Sequence, residues 1–135
     1  MIAIVMLDDH NGMLFNNRRQ SQDAVLRERI LSLAGERGLY MNAFSRKQFA
    51  KHPDAVITES ESFLEEAGEL DYAFVENVPL LPYEEKISKL IVYRWNREYP
   101  ADMYLDLSLS EYHLTDSFEL AGKSHEKITE EVYEK

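Results

Sequence analysis
The 135-residue chain contains no cysteine. Disulfides, thiolate metal sites and a cysteine nucleophile are therefore excluded, and the composition fits a reducing compartment. Glycine and proline are few, five and four residues, and no internal repeat, low-complexity tract or linker interrupts the chain. No apolar run approaches the roughly 18 residues of a membrane span. The opening Met1–Asp9 stretch has no basic region ahead of its short apolar run, so it does not read as a secretory signal. A cytoplasmic address without membrane contact is expected. Basic charge is also in deficit: the formal charge is −10. It is uneven, with eight Lys/Arg against seven Asp/Glu in residues 1–60 and seven against eighteen in residues 61–135. Such a surface repels a nucleic-acid backbone, so no nucleic-acid partner is expected.

What remains is 44% hydrophobic and 30% charged residues, the balance of a globular core with a solvated exterior. At this length one domain, residues 1–135, is predicted. Ile2 to Leu7 is a continuous apolar run that predicts a buried strand, and Asp9-His10-Asn11-Gly12 is a turn signal. Phe15 to Gln20 reads as a polar loop. Ser21 then suits a helix N-cap, with Gln22 and Asp23 in the first turn. That helix runs to about Ala34, with Ala24 or Leu26, Ile30, Leu33 and Ala34 on one face and Gly35 as its stop.

Further strands are predicted at Leu39–Met41, Ala55–Thr58, Tyr72–Val75 and Leu90–Trp95. Short helices are predicted from Ser45 to Phe49, from Ser60 or Ser62 through Ala67, and over Tyr83–Ser88. Met103–Leu105, Tyr112–Glu119 and Ile128–Tyr133 read as later strands, the last two as an antiparallel edge hairpin with one wet face. Strands alternating with helices and ending in strands predict an α/β fold. Its sheet is mostly parallel with an antiparallel C-terminal edge.

This order of elements resembles dihydrofolate reductase. Ile2-Ala3-Ile4-Val5 with Asp9 and Asn11-Gly12 looks like that family's first strand and active-site loop. Tyr72-Ala73-Phe74-Val75, Pro82-Tyr83 and Lys89 through Tyr93 look like the cofactor-side strand, its helix and the next strand. Leu114 through Glu119 and Glu131 through Glu134 look like the closing hairpin. The resemblance implies a three-layer sandwich. It also implies where chemistry has been replaced. The buried carboxylate that holds the pterin falls near Leu26, with Asp23 about a turn earlier. The family's Gly-Arg-x-Thr, a cofactor contact, reads Asn42-Ala43-Phe44-Ser45, and its Gly-Gly beside the pyrophosphate reads Glu76-Asn77. A carboxylate about 4 Å from a phosphate oxygen is repelled by roughly 1 to 4 kcal/mol. The implied function is a divergent, non-catalytic domain of this fold that binds a small polar ligand, nucleotide-like or pterin-like, or a protein partner. No cofactor is expected, with NADPH left open. The alternative is an enzyme using the same cleft with Asp23, Glu76 or His125 as its acid–base group.

The phrases Asn16 to Asp23, Phe74 to Asn77, Tyr93 to Asn96 and Ser124 to Thr129 are also similar to a small bacterial family that carries the label ribonuclease Z. A two-zinc nuclease needs a His-x-His-x-Asp-His cluster and further ligands. This chain has only His10, His52, His113 and His125, widely spaced, so no metal site is predicted, and Asp8-Asp9-His10 reads as turn chemistry. The candidate ligand contacts are the loop residues Arg18, Arg19, Gln20 and Gln22, which precede a helix start suited to an anion. Asn42, Ser45, Glu76 and Asn77 join them at two strand ends, as do Arg94 and Trp95. Trp95 is either a platform for a flat ligand or packing.

Overall fold
The computed structural model describes residues Met1–Lys135. In chain order its elements are β1 (Ile2–Leu7), β2 (Gly12–Phe15), β3 (Arg18–Arg19), α1 (Ala24–Ala34), β4 (Leu39–Met41), α2 (Ala43–Arg46), β5 (Ile57–Glu59), α3 (Phe63–Glu66), β6 (Tyr72–Phe74), β7 (Lys89–Arg94), β8 (Met103–Tyr104), β9 (His113–Leu120) and β10 (Ile128–Glu134). Seven strands form one sheet in the order β5-β4-β6-β1-β7-β10-β9. The pairs among β5, β4, β6, β1 and β7 are parallel. β10 runs antiparallel to both β7 and β9.

All six residues of β1 are buried, because the strand is paired on both edges and covered on both faces. Side chains alternate between faces. Ala3, Val5 and Leu7 join a core with Leu90, Val92, α3 residues Phe63 and Leu64, and Leu107. Ile2, Ile4 and Met6 join the opposite core with Ile91, Tyr93, Phe49 and the α1 residues Leu26, Ile30 and Ala34. The helix residues recur at four-residue spacing, so one stripe of α1 meets the sheet. Full burial of Leu26 and of Ile30 contributes about 1.5–3 kcal/mol each. The layers are thus helix, sheet and a second cover of α3 and 3-10 turns.

Local chemistry moves some expected boundaries. α1 is capped by Asp23, not Ser21: the extended Asp23 accepts from the N–H of Val25 at 2.9 Å and of Leu26 at 3.3 Å. α2 starts after Asn42, whose side chain caps the Ser45 N–H at 3.1 Å, so Ser45 lies inside the helix. β5 begins at Ile57, where pairing with Leu39 starts. The segment Phe15–Gln20, expected as a polar loop, instead turns a β-hairpin. Asn16 and Asn17 both have positive φ, 50° and 59°, and so make a two-residue turn between Phe15 and Arg18. β3-β2-β8 form a small second sheet. In the C-terminal hairpin, β9 is exposed along nearly its whole length rather than on one face.

Candidate functional site
In an open parallel sheet, the strands' carboxyl ends carry the groups that face a ligand. Asp8 follows β1, Asn42 follows β4, Glu76 and Asn77 lie just past β6, and Trp95 follows β7. Glu76 is buried, its side chain 2% exposed. Arg19, carried there by the β2–β3 hairpin, grips it through Nε at 2.9 Å and Nη2 at 3.0 Å. Gln48 Nε2 donates to the same carboxylate at 3.1 Å. The guanidinium also donates to the Phe44 carbonyl at 3.2 Å and lies 4.7 Å from the Phe44 ring centroid. Asn42 Nδ2 donates to Asn77 Oδ1 at 2.8 Å. The Ser45 hydroxyl is buried without a partner.

At the end of β1, Asp8 makes a tight turn and ties two loops together. Its Oδ1 accepts from the N–H groups of His10 (2.9 Å) and Gly12 (2.7 Å), and its Oδ2 from Tyr99 N–H (3.1 Å) and Gln20 Nε2 (3.4 Å). Burial alone would raise this carboxyl's pKa. The hydrogen bonds from Gly12, Tyr99 and His10 outweigh it and hold the group below the ordinary carboxylate range. Arg94 is committed to Asn11 Oδ1 and, at 3.0 Å, to Glu131.

A third cluster joins α1 to the loop between β9 and β10. Besides capping the helix, Asp23 accepts from Lys123 N–H (3.1 Å), Ser124 N–H (2.8 Å), Ser124 Oγ (3.0 Å) and His125 Nδ1 (3.1 Å). Burial acts to raise its pKa, but the bonds from Lys123, His125, Ser124 and Leu26 prevail and hold it well below the ordinary range. The indole of Trp95, 2% exposed, stacks on His125 with centroids 4.6 Å apart and a 30° tilt. Its open face is therefore taken by imidazole.

Two clefts flank the segment from Arg18 to Gln22. One, of about 540 Å³, lies between the start of α1 and the Lys47–Lys51 stretch, and Gln22, Arg27, Lys47, Lys51 and Lys123 line it. The other, of about 420 Å³, is lined by Arg18, Arg19, Gln20 and Tyr99. The ten candidates do not converge on one cavity. Arg18, Arg19 and Gln20 share the second cleft and Gln22 the first, while Asn42, Ser45, Glu76, Asn77, Arg94 and Trp95 line neither. Lys47, Lys51 and Lys123 were not legible as site residues. The only hint was a pair of lysines four apart on a helical stretch. His10 pairs with Glu98 at 3.3 Å on the surface, and no three His, Asp or Glu side chains come together as metal ligands.

No family model matches the chain, and no curated protein matches it. Solved structures do. A dihydrofolate reductase from Enterococcus faecalis, complexed with NADP(H) and RAB-propyl, superimposes with a TM-score of 0.68 over 98% of this chain and 94% of that one, at 9% identity. The chain therefore has the dihydrofolate-reductase-like fold, reached with a sequence only 9% identical to that enzyme's.

Proposed function
We propose that this domain is a divergent member of the fold that binds a small polyanion, nucleotide-like or carboxylate-rich, in the cleft between α1 and the Lys47–Lys51 stretch. One observation carries the reading. On a chain of net charge −10, four cations (Arg27, Lys47, Lys51 and Lys123) line one concave surface, and none of them is ion-paired within the protein. The one carboxylate among them, Asp23, is saturated by hydrogen bonds. Each unpaired cation about 4 Å from an anion contributes about 1 kcal/mol in water and up to about 4 kcal/mol at a partly shielded surface. Such a cleft also gathers anions against the field of the acidic remainder.

The enterococcal relative binds NADP(H), but the residues at the end of β6 here do not fit a pyrophosphate. Glu76 and Asn77 place side chains there, and Glu76 is already neutralised by Arg19. Reductase chemistry is accordingly no part of the reading.

Calorimetric titration with pyrophosphate, nucleoside mono- and diphosphates and tricarboxylates tests the proposal. At least one of these binds with a dissociation constant under 1 mM (about 4 kcal/mol). It weakens as salt rises and at least tenfold in the double variant Lys47→Ala/Lys51→Ala. No binding across the panel, or binding indifferent to the double variant, overturns it.

A further inference from the structure
Beyond ligand binding, the cluster at the start of α1 has the layout of a nucleophile with its base. Ser21 Oγ lies 2.9 Å from His125 Nε2, and His125 Nδ1 lies 3.1 Å from Asp23 Oδ2. Asp23 and His125 side chains are 0% and 5% exposed, whereas Ser21 is only half-buried and so within reach of a substrate. The ring's hydrogen bonds set its tautomer. An ionised Asp23 can only accept, so Nδ1 carries the hydrogen and Nε2 presents its lone pair to the Ser21 hydroxyl. Trp95 holds the imidazole plane from one side. The cap and backbone bonds fix Asp23 in turn. This is the order hydroxyl, imidazole, buried carboxylate that activates a serine. The backbone N–H groups of Ser21 and Gln22 have no acceptor within the protein, so neither is tied up by an internal hydrogen bond.

The geometry points to Ser21 as a nucleophile toward small carboxylic esters, with His125 as its general base and Asp23 as the residue that positions and charge-stabilises His125. Ser21 Oγ adds to the ester carbonyl carbon while its proton passes to Nε2. The C–O bond to the leaving alkoxide breaks, and that oxygen takes the proton from Nε2, leaving an acyl-serine. Water then gives a proton to Nε2 and adds as hydroxide to the acyl carbon. Ser21 Oγ leaves and recovers the proton. The sum is ester plus water to acid plus alcohol. Tyr99 OH, 3.3 Å from Nε2, is a weaker competitor for the same lone pair and takes no part in the transfer.

Fluorophosphonate labelling of the intact chain, read by whole-protein mass and peptide mapping, tests the assignment. One adduct on Ser21 is expected, absent in Ser21→Ala, formed at least tenfold more slowly in His125→Gln, and retained in Tyr99→Phe. Far-UV circular dichroism checks that each variant is folded. The wild-type result stands whether or not His125→Gln folds. An acetyl-enzyme burst with 4-nitrophenyl acetate should depend on the same residues. No adduct, an adduct on Ser124, or a Ser21 adduct formed equally fast without His125 would each overturn the assignment.

Discussion

Replacing Asp23 by alanine removes the carboxylate that joins the start of α1 to the loop before β10. The cap alone is worth about 1 kcal/mol. The N–H groups of Lys123 and Ser124 lose their acceptors as well. Both are partly buried, so water restores some of what is lost, and about 1 kcal/mol each is left. The sum is about 3 kcal/mol at pH 7, a large share of a small domain's stability. Its pH dependence has a defined sign. The folded carboxyl is held well below its ordinary range, whereas an unfolded aspartate titrates near 3.9. The stability Asp23 supplies is therefore fully present above about pH 5 and drains away as pH falls below about 4 toward the folded pKa. At pH 3 the wild-type advantage over Asp23→Ala should be about 1 kcal/mol smaller than at pH 7. Urea unfolding followed by circular dichroism and by Trp95 fluorescence measures both values. A difference below 1 kcal/mol at pH 7, or the same difference at both pH values, would refute the reasoning.

Three further outcomes follow from the same geometry. A Cβ at Gly122 would sit 2.7 Å from Asp23 Oδ2 and 2.7 Å from the His125 carbonyl; Gly122→Ala should lower stability by about 2 kcal/mol, measured by urea midpoint, and shift Trp95 emission. Glu76→Ala leaves Arg19 and Gln48 without their acceptor and should lose about 2–3 kcal/mol, while a double-mutant cycle with Arg19→Met should show strongly non-additive losses in the same assay. Burial, and then the hydrogen bond to Glu130, push the Tyr93 hydroxyl far above an ordinary phenol. The stability it supplies is present below about pH 10 and lost above it, so Tyr93→Phe should flatten the alkaline decline by up to about 1.4 kcal/mol per pH unit, read by unfolding at pH 9 and 11.

The central strands were legible because burial on both faces leaves a nearly pure apolar run, as in Ile2–Leu7 and Leu90–Tyr93, and a surface helix leaves a stripe, as in Leu26, Ile30 and Ala34. The β2–β3 hairpin was not legible. Its signal is two asparagines that tolerate positive φ, Asn16 and Asn17, and the flanking residues do not alternate. Arg19 and Glu76 were each picked out as polar groups near a cleft, but nothing in a linear chain shows that they satisfy each other. The same holds more strongly for Asp23 and His125, 102 positions apart. The basic cleft needs Lys123 to fold back against Lys47 and Lys51, a juxtaposition only the sheet order creates.

If the proposed anion binding holds, charge placement favours the cleft at α1, because the other offers Arg18 as its only unpaired cation beside the engaged Arg19. Arg19 already holds one, the Glu76 carboxylate, through two N–H donors, and Gln48 adds a third. A ligand that took Arg19 for itself would leave Glu76 buried and ionised with a single amide donor, a state about 3–5 kcal/mol worse. That penalty exceeds the about 1–4 kcal/mol that a single cation contributes to an exposed anion. Arg27, Lys47, Lys51 and Lys123 face no such exchange, because no side chain of the protein neutralises them. An incoming phosphate or carboxylate there meets several cations and displaces only water and counterions. In this chain Arg19 is held by the protein's own Glu76, and the cations left unpaired line the cleft at the start of α1.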